Sequence, residues 1–166
     1  MRYARAMPGD ISETLLEDLV RTSFAVTAVL NRVAADNDLS LTQLRALAIL
    51  RDREPTMAQL AEYLGLERSS VSGLIDRAVR RGLAKRMTSR QDGRSVHVTL
   101  TATGQRLGEA LAGTVADMLA PMTSRLTAAE QKRLADLLSG MLDPAPPVIP
   151  TPRRPRAATV PGGARR

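Results

Sequence analysis

Residues 57–86 read MAQLAEYLGLERSSVSGLIDRAVRRGLAKR, and the spacing within them decides the fold. Thr56 and Gln59 stand three apart, the pattern by which two polar side chains satisfy each other's backbone amides at a helix start. Leu60, Ala61 and Leu64 then supply a buried side, and Gly65 suits the left-handed residue just past a helix end. After the break Gly65-Leu66-Glu67, the apolar residues Val71, Leu74, Ile75, Ala78 and Val79 fall on one helical stripe that Gly82 ends. Two short helices joined by a glycine-containing turn predict a helix-turn-helix. With that stripe inward, the outward face of the second helix carries Arg68, Ser69, Ser72, Gly73, Asp76, Arg77 and Arg80. Its leading half is small, which permits close approach to base edges in a groove about 12 Å wide, while the flanking arginines reach phosphates. The amides of its first turn favour an anion as well.

Beyond Gly82, LAKRMTSRQDGRSVHVTLT predicts a strand over Leu83–Thr88 and a turn around Gln91-Asp92-Gly93. A second strand follows, with Val96, Val98 and Leu100 alternating. Arg90 and Arg94 flank the turn, so they would project from a hairpin tip toward a narrow, strongly negative minor groove. Upstream, Ser40 and Gln43 open a helix with Leu44, Leu47 and Leu50 inward, closed by Pro55. Further upstream, Asp10 with Glu13 opens a long first helix carrying Leu15, Leu19, Val26, Leu30 and Val33 to about Ala35. Downstream, a helix from Thr101 to Ala120 carries Leu107, Leu111, Val115, Met118 and Leu119, and Pro121 must kink or end it. Thr127 and Glu130 cap a last helix with Leu134, Leu137, Leu138, Met141 and Leu142. The stripes at the two ends of the chain exceed what a small lobe needs to cover itself, so they call for a partner surface.

Composition agrees. The chain has 166 residues, 43% hydrophobic but only 2% aromatic, which favours one domain with an aliphatic core of packed helices. Its net charge of +7 is clustered rather than spread. Between Arg68 and Arg94, eight basic side chains face only Asp76 and Asp92, and from Pro144 onward five arginines face no acid. An otherwise mildly acidic body with two basic regions points to a polyanion, most simply nucleic acid, and the expected partner is double-stranded DNA. Cysteine is absent, no stretch of about 18 apolar residues occurs, and no apolar run follows Arg2 and Arg5. A soluble cytoplasmic protein with no membrane association is the expectation.

The segment from Leu41 to Leu107 resembles the winged helix-turn-helix core of the MarR family of bacterial transcriptional regulators. The resemblance rests on LTQLRALAIL, on MAQLAEYLGLERSSVSGLIDRAVRRGLAKR and on the wing SRQDGRSVHVTLTATGQRL, with its Asp92-Gly93-Arg94 and Leu100-Thr101-x-x-Gly104. It extends through LTAAEQKRLADLLSGML to about Leu142. It implies a mainly α fold with a small β-hairpin wing, and a DNA-binding lobe over about 37–100. Dimerisation helices over 10–36 and 101–142 would intertwine with those of a second copy, within a domain spanning 1–143. It also implies recognition or phosphate roles for Ser69, Ser70, Ser72 and Arg77, a minor-groove role for Arg94, and an orienting or bracing role for Asp92. Gln91 and Gly93 interrupt the acid and arginine cluster that family wings often show. Thr56, Arg68, Gly73, Arg80 and Arg90 complete the candidate DNA contacts.

Two readings of the tail DPAPPVIPTPRRPRAATVPGGARR stay open: a disordered solubilising extension over 144–166, or a basic arm that adds phosphate contacts. The functional expectation is a sequence-specific regulator, a homodimeric repressor on an inverted repeat whose affinity falls when a small molecule binds. A ligandless architectural DNA-binding protein is the alternative. With no cysteine, one isolated His97, no glycine-rich phosphate loop and no paired carboxylates, no catalytic or metal constellation can be assembled and no cofactor is implied. Met118, Met122 and Met141 read as core fillers.

Overall fold

The computed structural model describes residues 11–88 and 95–142. In chain order they form α1 (Glu13–Ala35), α2 (Leu41–Asp52), α3 (Met57–Leu64), α4 (Arg68–Arg80), β1 (Ala84–Thr88), β2 (Val96–Leu100), α5 (Ala102–Thr123) and α6 (Ala128–Leu142). The helix starts follow local side-chain chemistry. Ser40 and Thr56 each accept from the backbone N–H three residues on, while Gln43 and Gln59 reach back to the cap amides. Thr127 and Glu130 do the same before α6, and the two hydrogen bonds from Thr127 hold the Glu130 carboxyl below the ordinary carboxylate range. Gly65 takes the left-handed conformation (φ 67°) that reverses the chain between α3 and α4.

α1 departs from its expected start. Ser12, not Asp10, caps it, its Oγ accepting from Leu15 N at 3.2 Å, and Asp10 lies outside the described residues. Glu13 is thereby the first helical residue, where its charge meets the positive end of the helix dipole.

α2 organises the interior because it is buried on two sides. Ala46 and Leu50 join Leu60, Ala61, Leu64, Val71, Leu74, Ile75, Ala84 and Val98 in the core beneath the helix-turn-helix and the hairpin. Leu44 and Leu47 face the other way, against Val33, Ala34, Leu39, Leu83 and Leu111 from α1, the connecting segments and α5. Val79, expected inward, is exposed, while Ala78 beside it still packs against the core.

β1 and β2 pair antiparallel with Ala84 opposite Leu100 and Thr88 opposite Val96. The other edge of β2 is covered too: Val98 N donates to Pro55 O at 2.9 Å, and Thr56 bridges to His97. That cover, together with α5, buries Thr99, so the expected alternation of Val96, Val98 and Leu100 is incomplete at both ends. The single histidine serves here: His97 Nδ1 lies 3.0 Å from Glu54 O.

The junction into α5 explains the Leu100-Thr101-x-x-Gly104 pattern. Thr101 Oγ1 donates to Gly82 O at 2.6 Å and accepts from Gly104 N at 3.0 Å, while Thr101 N donates to Leu83 O. Gly104 must lack a side chain, because a Cβ there would stand 1.9 Å from Leu83 O. α5 continues through Pro121 to Thr123, past its expected end at Ala120. Proline removes one backbone donor, and in the final turn that loss does not stop the helix at once.

α6 buries no residue at all. Leu134, Leu137, Leu138, Met141 and Leu142 are exposed, as are Ile11, Leu15, Leu16, Val20 and Phe24 at the opposite end of the chain. Met141 and Met122 are therefore not core fillers within one copy, whereas Met118 packs against the core of α1, α2 and α5. Among the described residues no helix is long and apolar enough to cross a membrane.

Candidate nucleic-acid interface

α4 presents the features that contact with a duplex requires. Its inner stripe of Val71, Leu74 and Ile75 is fixed in the core, which turns Arg68, Ser69, Ser70, Arg77 and Arg80 to the surface with Ser72 and Gly73 half-buried between them. Glu67 stands at the N-cap position in extended conformation and makes no side-chain capping bond. The first-turn amides of α4 thus lack the side-chain cap that serves α2 and α3, and they point where an anion is stabilised. A Cβ at Gly73 would stand 3.6 Å from Arg77 Nη1, an ordinary contact, so the arginine lies back along the helix toward the small leading turn.

Two arginines of the basic stretch are tied into the fold at its surface. Arg86, on β1, donates from Nη1 to Asp76 Oδ1 at 2.6 Å, and its Nη2 lies 3.4 Å from Ser72 O and 3.3 Å from Ser72 Oγ. Arg81 donates to Asp38 O at 3.0 Å and so ties α4 to the left-handed residue that follows α1. Both are cations that the charge tally counted toward DNA and that the fold uses internally. Thr56, proposed as a contact, has its hydroxyl and amide engaged with Gln59 at the start of α3. Arg90, Asp92 and Arg94 lie outside the described residues, in the segment that joins β1 to β2.

A second feature lies at the base of the lobe. Leu30 of α1, Leu44, Leu47, Ala48 and Arg51 of α2, and Gly108, Leu111, Ala112 and Val115 of α5 line an apolar cleft of about 210 Å³. Arg51 is its one charged member and is already neutralised, donating from Nε and Nη2 to the two carboxylate oxygens of Asp52 at 2.7 and 2.9 Å. That hydrogen bonding raises the Arg51 pKa and lowers that of Asp52. Among the described residues no cluster of histidine and carboxylate side chains could hold a metal ion.

A family model described as the MarR family matches residues 37–95, which span α2 through β1 and stop just short of β2. The chain is similar to the DNA-binding transcriptional regulators of the MarR family. It is 27% identical over 137 residues to the HTH-type transcriptional repressor NicR of Pseudomonas putida, a match covering 82% of this chain and 87% of NicR. A crystal structure of a MarR variant from E. coli complexed with operator DNA superposes with a TM-score of 0.61 at 26% identity, covering 78% of this chain and 94% of that one. The crystal structure of NadR in complex with 4-hydroxyphenylacetate superposes with a TM-score of 0.67 at 22% identity, covering 83% of this chain and 97% of that one, which shows a shared fold. The mainly helical winged fold and the absence of an enzymatic role expected from the residues agree with this assignment.

Proposed function

We propose that the chain is a homodimeric, ligand-responsive repressor that binds an inverted-repeat operator and acts in the cytoplasm. The observation that carries the reading is the leading face of α4. It combines exposed Ser69 and Ser70, a bare Gly73 and the flanking Arg68 and Arg77 at a helix start with no side-chain cap. In this reading Ser69, Ser70, Ser72 and Gly73 approach base edges, Arg68, Arg77 and Arg80 hold phosphates, and Thr56 contacts the backbone from the start of α3. Arg90 and Arg94, with Asp92 bracing, enter the adjoining minor groove.

Dimerisation is supported by the apolar residues of α1 and α6 that stay exposed among the described residues. A twofold pair sets two recognition helices about 34 Å apart, one turn of the duplex, so the operator carries two inverted half-sites. The cleft between α1, α2 and α5 supports effector binding, since it lies where the terminal helices meet the lobe. An effector that favours a different half-site separation needs only about 1–3 kcal/mol of coupling to release DNA. NicR's designation as a repressor and the ligand bound to NadR are in keeping with both points.

The deciding experiment is a footprint on DNA flanking the protein's own gene at two salt concentrations, paired with light scattering. Two protected half-sites centred about one turn apart and a dimer mass support the reading. A monomer, or equal protection of every sequence, sinks it. The second outcome would favour the architectural alternative, for which the five arginines of the C-terminal segment are the best argument.

A further inference from the structure

Among the basic side chains between Arg68 and Arg86, Arg86 is distinctive in meeting a carboxylate of the recognition helix itself. Its fork spans one turn of α4 from outside, Nη1 on Asp76 and Nη2 beside the carbonyl and hydroxyl of Ser72. Ser72 and Asp76 are four residues apart, so they stack on one face of the helix. The pair sits at the rim: the Arg86 and Asp76 side chains keep 36% and 42% of their surface exposed, close to the face that offers Ser69 and Arg77. Arg86 also belongs to the strand that leads directly into the wing loop.

We propose that Arg86 is a positioning residue for sequence recognition, a clamp that locks α4 and the wing hairpin into one body and leaves the Ser72 hydroxyl oriented as a hydrogen-bond donor. The proposal rests on the DNA-binding reading above. Three consequences follow from the chemistry. A hydroxyl that accepts from a guanidinium has its own proton directed elsewhere, which suits an acceptor on a base edge such as purine N7 or thymine O4. The bidentate geometry fixes an orientation that a lysine ammonium cannot reproduce. Asp76 keeps Arg86 from adding sequence-independent attraction to phosphates at the edge of the interface.

The test uses the full chain and a duplex that it selects from a random pool. Affinity for the selected and for a random duplex is measured at two salt concentrations, with thermal unfolding as a check on folding. Asp76→Asn and Arg86→Met are each expected to lower the ratio of selected to random affinity about tenfold, and the double variant to lower it no further than one single variant does. Arg86→Lys, which keeps the charge and the fold, is expected to lose most of the same ratio. Asp76→Asn is expected to bind random duplex more tightly, with a salt slope steeper by about one.

The clamp is refuted if Arg86→Met weakens both duplexes equally with a salt slope shallower by about one, since Arg86 would then be a phosphate contact. An unchanged ratio in Arg86→Lys, or effects of the two single variants that multiply, refute it too. If the unaltered protein selects no motif, the DNA-recognition reading itself fails and takes the clamp with it. That failure appears in the unaltered protein, whereas failure of the clamp alone appears only in the variants.

Discussion

The helix-turn-helix lobe and the C-terminal helix are both rich in leucine, yet they satisfy that composition in opposite ways. In the lobe Leu60, Val71, Ile75 and Val98 are almost fully enclosed by α2, α3, α4 and the hairpin. In α6, Leu137 keeps 57% of its surface and Leu142 58%. A regular apolar stripe therefore says that a helix has a partner without saying whether that partner lies in the same chain. The lobe closes on itself, and among the described residues α6 does not. The DNA-reading role proposed for α4 needs a rigid scaffold beneath it, and the proposed spacing of two half-sites needs a second copy attached elsewhere.

Perturbations that touch one region and spare the other sharpen this contrast. Leu60→Ala should have the largest effect, about 2–5 kcal/mol of lost stability in denaturant unfolding, because the residue is wholly enclosed. Leu137→Lys in α6 should leave the lobe's packing intact and shift the protein toward monomer by sedimentation. If it instead unfolds the chain as Leu60→Ala does, the two regions are one core and the contrast is false. Next in size comes Gly104→Ala, expected to cost about 1–3 kcal/mol because the new methyl meets a backbone carbonyl that cannot swing away. Gly113→Ala on the same helix meets nothing within 4 Å and should raise the melting temperature, by about 0.5–1 kcal/mol of stability. The smallest effect is electrostatic. The Glu130 carboxyl is held below its ordinary range by Thr127, so it binds its proton more weakly folded than unfolded. Its stabilisation of α6 is full above the ordinary carboxylate range and is lost as the pH falls through and below it. Glu130→Gln should flatten that part of the stability profile.

Much of the lobe was legible because its signals are local. Ser40 with Gln43, Thr56 with Gln59 and Thr127 with Glu130 announce helix starts within four residues, and Gly65 marks the turn between α3 and α4 by backbone conformation alone. The outward serines of α4 followed from periodicity, since a stripe that fixes the inside also fixes the outside. What stayed hidden depends on segments far apart in the chain. Arg81 reaches Asp38 and His97 reaches Glu54 across 43 residues each, and no spacing rule anticipates either pairing. Arg86 could have been suspected, because Asp76 is an isolated acid inside a basic stretch and a buried or rim acid seeks a cation. Which of the neighbouring arginines would answer it depended on how the hairpin folds back over α4. Val79 shows the width limit of such a stripe: Ala78 meets the core and its neighbour does not.

The seam at Gly104 gives α5 the character of a lever. With its first turn pressed against the Leu83 carbonyl, the helix has a fulcrum beside the base of the hairpin, and from Gly104 to Thr123 its arm runs about 28 Å. Leu111 sits about 10 Å along that arm, so a wedge that lifts it by about 1 Å swings the far end by nearly three times as much. In the dimer proposed above, a molecule small enough for the cleft would thus change the span between two subunits by a distance that DNA, with its unyielding helical repeat, does not forgive.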